Sequence, residues 1–502
     1  MTRQDVPPDH VTPYDRFAWS DVVVEHLLAS GEHQRELIAY FGESEYRVLA
    51  ALAREAQAVS VSADAARVFI VPGIMGSQLG RMRRAPLPND VLWLDPVDIS
   101  LGHLGLLRLP VPGAHAVSTH AHAHRPADGA AAAHETRIVS LGVVLFTYLR
   151  LKLHLRIAGF APVFHDYDWR LGVDDLGRAL AARLRAETGR VMVVAHSMGG
   201  LVTRAALACE GTKHVERVVL LGTPNAGSYA PVQALRGTYA VVRKIARLAQ
   251  QQSAESLAAE VFSTFPSLYH LLPVANGESP LDLFDAGAWP ADGLVPNVPL
   301  LTRARSVVKA IGGADARFVN IVGVGQETVT RVARRRSEFV YTITRRGDGT
   351  VPVTCAELPG ARTYYTSVAH SELARDAAVA HAIADVLRDG ETAQLDASWS
   401  HSGKAEASIS DRELRRTHTE KVDWAHLEPE ARQVFLRSLN EPPTLKLRVP
   451  ARSPKRAGAP AKKAARRKPR PAASAAAKGA ARRVAGKRKA PATRKRKSTR
   501  RR

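Results

Sequence analysis

The chain has 502 residues, with 71 Lys+Arg against 48 Asp+Glu and a formal net charge of +23. That charge is concentrated: 22 of the basic residues and no acidic one lie in 451–502, which leaves 49 basic against 48 acidic residues over 1–450. A protein basic throughout is excluded. The tail, built mainly of Lys, Arg, Ala and Pro, has too little apolar surface to fold alone and is expected to be disordered.

The near-neutral body, in a chain that is 45% hydrophobic, is long enough for one large domain with a substantial insertion. Residues 1–15 are polar and contain no apolar segment of signal-peptide length. The longest apolar stretch, Ile138–Leu149, is shorter than the ~20 residues that span a bilayer, so no transmembrane segment is expected. Cys209 and Cys355 are the only cysteines, which excludes a disulfide framework and fits a reducing compartment. Both are read as buried thiols. The expectation is a cytoplasmic protein, not secreted, held peripherally on a membrane, granule or nucleoid.

In chain order, residues 16–58 carry apolar positions at helical spacing. Val68–Val71 is a short β-branched run ending at Pro72–Gly73, the pattern of a buried strand entering a loop. A strand is expected around Ala161–Phe164, an amphipathic helix over Val173–Leu184, and a strand over Val191–Val194. A helix follows over Leu201–Cys209 and a strand over Val215–Leu221. Alternation at this spacing argues for a parallel sheet covered on both faces. It fails between Ser228 and Ala316, read as a helical cap inserted into the sheet domain. Strands resume at Phe318–Val322, Phe339–Thr344 and Tyr364–Tyr365, followed by a helix over Asp376–Arg388. The expected organisation is a helical segment (1–60), a sheet domain (61–395) with its cap (228–316), an extension (396–450) and the tail (451–502).

The strongest motif is Ala195-His196-Ser197-Met198-Gly199-Gly200. A buried strand running into a sharp turn with Ser at its apex, and a helix leaving it, is the nucleophile elbow of α/β-hydrolases, with Ala195 in place of the usual first glycine. A serine hydroxyl attacks only when a base takes its proton, so a histidine and an orienting acid must follow, in the chain order Ser, acid, His. That order eliminates Asp166, Asp168 and His214. Asp348, in Gly-Asp-Gly-Thr-Val-Pro, follows the Phe339–Thr344 strand, whose C-terminal end would lie beside Ser197; Asp292 lies in the cap with no strand leading to it. His370 follows a strand and precedes a helix, whereas His270 and His381 lie inside helix-like stretches. The expected triad is Ser197, Asp348 and His370. The oxyanion hole is assigned to the amide of Met198 and to that of Ile74, with Met75 as alternative, in the loop Pro72–Ser77.

Taken together, Val71–Leu79, Leu92–Asp95, Tyr167–Leu171, Ala195–Gly199, Leu221–Ser228, Phe265–Pro273 and the Gly-Asp-Gly-Thr-Val-Pro segment resemble the lecithin:cholesterol acyltransferase and phospholipid:diacylglycerol acyltransferase family over roughly residues 66–390. The resemblance implies an α/β-hydrolase fold in which Ser197 attacks a lipid ester, forms an acyl-enzyme, and passes the acyl group to an alcohol or to water. It also implies that Trp93 lies near the acyl-binding cleft, that Asp168 and Arg170 pair to fix loops, and that no cofactor is required. Secreted members carry a signal peptide, disulfides and an apolar docking element, none of which is recognisable here.

His120, His122 and His124 alternate, with His115 and His134 nearby; the surrounding Ala-, Gly- and Pro-rich loop argues against a metal site. The tail has no aromatic residue for stacking on bases, so its partners are expected to be anionic surfaces (membrane, nucleic acid or polyphosphate) bound through counterion release. The alternative is a polyanion-binding protein that keeps an inactive hydrolase body as scaffold.

Overall fold

The computed structural model describes residues 19–82, 89–110, 137–275, 279–400 and 405–439. Contacts divide the chain into 1–449 and 450–502, and every described residue belongs to the first unit. The histidine cluster from His115 to His134 and the basic tail lie outside the described residues.

Twelve strands are described: β1 (Arg67–Val71), β2 (Ser77–Arg81), β3 (Asp90–Trp93), β4 (Ile138–Val143), β5 (Ala161–Phe164), β6 (Val191–His196), β7 (Val215–Leu221), β8 (Phe318–Gly323), β9 (Thr328–Arg335), β10 (Glu338–Thr344), β11 (Arg362–Thr366) and β12 (Ala407–Ser410). Six form one sheet in the order β11-β8-β7-β6-β1-β5, and all its pairs are parallel. Alternate residues of these strands enter opposite apolar layers. Phe69, Val193 and Leu220 join one core, while Ile70, Val194 and Val219 join the other. Burial on both faces explains the continuous apolar runs that mark these strands.

The helices Val173–Arg185 and Met198–Leu207 cover the first face, and Leu145–Ile157 and Ala377–Asp389 the second. Leu145–Ile157 is sandwiched. Tyr148, Leu151 and Leu155 face the sheet, whereas Leu149 and Leu153 join the core shared with the N-terminal helices Asp21–Ser30, Gln34–Phe41 and Glu43–Ala58. The apolar stretch Ile138–Leu149 is therefore β4 and the start of this helix, divided at Val144.

Two smaller antiparallel sheets, β3-β2-β4 and β12-β10-β9, were not anticipated. The Phe339–Thr344 strand belongs to the second of them and not to the main sheet, which corrects the placement expected for it. Between Ser228 and Ala316 the described residues hold the helices Ala230–Leu235, Ala240–Leu248, Ala254–Glu260, Pro266–His270 and Val298–Ala310, with no strand. Cys209 is half-buried, not buried like Cys355, and neither forms a disulfide.

Residues 405–439 are built into this body. β12 extends β10, and Asp411 meets the fully buried Arg236 at 2.9 Å. Asp411 also accepts from the Tyr341 hydroxyl at 2.7 Å and the Phe339 amide at 3.1 Å. Asp292, the Asp-Gly candidate set aside as a catalytic acid, accepts from the same guanidinium at 2.5 Å. Removing Asp411 takes one of the two carboxylates from Arg236 and an acceptor from the Tyr341 hydroxyl and the Phe339 amide, and losing a member of a buried ion pair typically costs ~3–5 kcal/mol. Asp411→Ala is expected to lower unfolding free energy by about that amount in urea titrations. Glu216→Gln, at the exposed Arg190–Glu216 pair, should change it by less than ~1 kcal/mol.

Candidate active site

β6 ends at His196, and the chain reverses at Ser197 with φ 54° and ψ −126° before the helix Met198–Leu207 begins. A positive φ at a non-glycine residue costs ~1–3 kcal/mol, so surrounding contacts must hold it. The Ser197 amide donates to Leu221 O at 2.8 Å. The helix must also start in contact with its neighbours. A methyl on Gly199 would lie 2.4 Å from Pro72 O, and one on Gly200 would lie 1.9 Å from Thr223 Oγ1. Small residues after Ser197 are thus a packing requirement of the turn.

His370 Nε2 lies 3.0 Å from Ser197 Oγ, and His370 Nδ1 lies 2.7 Å from Asp348 Oδ2. A carboxylate only accepts, so Nδ1 carries the proton and Nε2 is left to accept from the Ser197 hydroxyl. The other carboxylate oxygen of Asp348 accepts from the amides of Thr350 at 2.9 Å and Val351 at 2.7 Å. The His370 amide donates to Asp348 O at 2.9 Å, which locks the two loops together. All three residues are nearly enclosed, with Asp348 only 1% exposed. Asp348 lies on the loop that leaves β10 and packs against the carboxyl end of β8. A methyl on Gly323, the last residue of β8, would lie 2.5 Å from Asp348 Cβ. The β9–β10 hairpin is an excursion that leaves the main sheet and returns to it.

The loop after β1 packs against the serine: a methyl on Gly73 would lie 2.9 Å from Ser197 Cβ. Aromatic side chains tie down its backbone. The Tyr167 hydroxyl donates to Pro72 O at 2.5 Å, the Trp93 indole to Met75 O at 3.0 Å, and the Trp169 indole to Ser77 O at 3.0 Å. The Gly73 amide donates to the Tyr148 hydroxyl at 2.8 Å. Ile74 and Met75 line the cleft, and Met75 adopts φ 62°. As the first residue of its helix, Met198 has an amide with no intrahelical acceptor.

Trp93 is not among the residues lining the cleft. It is 3% exposed and packs edge-on to Trp169 with ring centroids 5.4 Å apart. It lies behind the loop and supports it, beside the cleft-lining Met75 but not in the cleft wall itself. Asp168 and Arg170 pair at 2.6 Å, and Arg170 also donates to Leu107 O at 2.8 Å. His270 is held by packing: the Val173 amide donates to its Nδ1 at 3.0 Å. His381 faces His154 edge-on at 5.3 Å. Tyr148 and His196 escaped the sequence reading as site residues. Their signal was present, a Tyr within an apolar helix and a His beside the nucleophile, but nothing local showed that they meet.

Above the serine opens a cleft of about 1110 Å³ including its mouth. Its walls are largely apolar, with Val241, Val242 and Ile245 from one cap helix and Phe262, Phe265 and Leu268 from the next cap segments. Among the described residues no group of His, Cys, Asp and Glu is arranged to hold a metal ion, and no helix is long and apolar enough to cross a membrane.

A parallel sheet with a strained serine at the end of a central strand, and a histidine and an aspartate from later loops beside it, defines an α/β-hydrolase. The family model described as lecithin:cholesterol acyltransferase matches residues 162–298, a span that contains Ser197 but neither Asp348 nor His370. Over that span the chain is similar to the lecithin:cholesterol acyltransferase family. Similar solved structures include the Bacillus licheniformis lipase BlEst2 in mature form, 13% identical over 66% of this chain and 95% of that chain with a TM-score of 0.33. Another is the Tle4–Tli4 complex, 14% identical over 64% of this chain and 98% of that chain with a TM-score of 0.39. Comparison with curated proteins gives no match.

Burial keeps three imidazoles neutral, lowering His196 to about 3 and both His165 and His270 to about 4 from 6.5. The unfolded chain takes up protons at these residues as pH falls through 6.5, whereas the folded chain does not until about pH 4 or below. Stability is therefore full above the unfolded value and is lost as pH drops from 6.5 toward 4. Between about pH 7 and pH 5 the three together should remove on the order of 5 kcal/mol, read as a lowered urea midpoint. An unchanged midpoint would show that these side chains are not held neutral.

Proposed function

We propose that the protein is a serine-dependent lipid O-acyltransferase or lipase/phospholipase that works through an acyl-enzyme on Ser197. The observation that carries this reading is the Ser197–His370–Asp348 hydrogen-bond chain at the floor of an apolar cleft. In the reaction, His370 Nε2 takes the Ser197 proton as Oγ attacks the ester carbonyl. The tetrahedral oxyanion is received by the amides of Met198 and Ile74, where fixed dipoles in a water-poor site act strongly. On collapse, His370 delivers the proton to the departing alcohol and the acyl group remains on Ser197. A second alcohol, or water, then attacks with His370 again as base. Asp348 holds the imidazole in the tautomer that accepts from Ser197 and stabilises the imidazolium that forms.

The apolar cap walls suit a long acyl chain, whose burial contributes ~0.8 kcal/mol per methylene. Hydrolysis and transfer share the same acyl-enzyme, and exclusion of water by the cap favours transfer. The basic tail, residues 451–502, holds the enzyme on an anionic surface such as a membrane, nucleic acid or polyphosphate. Such binding is sequence-independent and weakens steeply with salt.

Ser197→Ala is expected to lower kcat on a short-chain nitrophenyl ester by at least ~10⁴-fold, and Asp348→Asn by roughly 10³–10⁴-fold. An active Ser197→Ala enzyme would refute the covalent mechanism. If the folded wild type has no ester activity, the scaffold reading takes its place. Truncation after Pro450 should abolish retention on anionic vesicles and on polyphosphate while leaving short-chain ester hydrolysis within about twofold, because the tail acts only through its charge. Equal retention of the truncated and full-length chains would contradict the tail's role.

A further inference from the structure

We propose that Tyr148 is a positioning residue: its hydroxyl, working through His196, sets the oxyanion loop against the nucleophile. This rests on the serine mechanism proposed above. The Tyr148 hydroxyl lies 2.8 Å from the Gly73 amide and 2.9 Å from His196 Nδ1, and His196 Nε2 lies 3.0 Å from the carbonyl oxygen of His370.

The direction of every bond follows from the groups present. A backbone carbonyl only accepts, so His196 Nε2 carries the proton. In a neutral imidazole the other nitrogen then only accepts, so the Tyr148 hydroxyl donates to Nδ1. Its remaining lone pairs receive the Gly73 N–H. Both side chains are buried, at 2% and 7% exposure, so water cannot readily replace a lost partner and each unmade bond carries its full desolvation cost. One arrangement of protons satisfies the whole chain.

Two consequences bear on the reaction. The Gly73 N–H is committed to Tyr148 and cannot receive the oxyanion, which leaves that task to the amides that follow it. The peptide plane entering Gly73 is also fixed, and Gly73 packs directly against Ser197. Tyr167 and Tyr148 hold the two sides of one peptide unit, Pro72 C=O and Gly73 N–H, so that its rotation is fixed from both, while Trp93 and Trp169 hold later carbonyls of the loop. The same chain ends on the backbone of His370. Loop, nucleophile strand and base are therefore joined through two side chains that take no proton from substrate.

Tyr148→Phe in the full-length protein keeps the ring and removes only the hydroxyl. With a short-chain nitrophenyl ester, kcat should fall roughly 10- to 100-fold, the scale of a misplaced reacting group. KM should stay within about twofold, and the rate of fluorophosphonate labelling should fall in step with kcat. A purely structural role would lower the melting temperature without this split. His196→Phe removes the same acceptor from the other side and serves as the second variant. The double variant should be no slower than the worse single one, because the two residues act as one unit. Wild-type kcat and labelling in folded Tyr148→Phe, or independent effects that multiply in the double variant, would overturn the assignment while leaving the serine mechanism intact. A folded wild type that neither hydrolyses the ester nor takes the label would overturn both.

Discussion

The positive φ of Ser197 is the constraint from which the rest of the site follows. Holding a non-glycine residue there costs ~1–3 kcal/mol, and the fold offsets it by leaving the turn no room to relax. β6 lies between β1 and β7, the Ser197 amide is bonded to the end of β7, and the helix that follows starts against Pro72 O and Thr223. The hydroxyl consequently stands at the carboxyl end of the sheet, where the loops after β1, β10 and β11 meet beside the end of β8. A relaxed turn would let Oγ swing away from His370 Nε2.

Precision then depends on loops, and loops are held here by side chains of unusual size. Tyr167, Trp93, Trp169 and Tyr148 each use one polar atom to fix one backbone group of residues 72–77. Their rings contribute apolar burial at the same time, which suits a position needing both rigidity and exclusion of water. Asp348 is treated in the same way, with three donors around its carboxylate. Both halves of the site are thus organised before any substrate arrives, which is the condition for strong electrostatic stabilisation of a developing oxyanion.

Much of this was legible because its causes are local. The small residues around Ser197, the apolar runs of β1, β6 and β7, and the helical spacing of Val173–Leu184 are read directly from short windows. In the sequence, the choice of Asp348 rests on a main-sheet strand before it, whereas β10 lies in the smaller β12-β10-β9 sheet. β9 and β10 are joined by a short turn and return the chain to the end of β8, and no local pattern states which sheet a strand will enter. The antiparallel sheets escaped notice for a related reason. β2 and β4 pair across a long intervening segment, and β12 finds β10 from more than sixty residues away. Leu145–Ile157 hid Tyr148 because a helix packed on both sides loses its polar stripe. The motif around Trp93 points to the cleft, but the direction of an indole is decided by tertiary packing.

The proposed chemistry runs through a covalent intermediate at one hydroxyl. Its most direct test is treatment of the full-length protein with a fluorophosphonate, followed by digestion and peptide mass spectrometry. A single stoichiometric adduct on Ser197 is predicted. Absence of any adduct on protein shown to be folded, or an adduct on another serine, would contradict it.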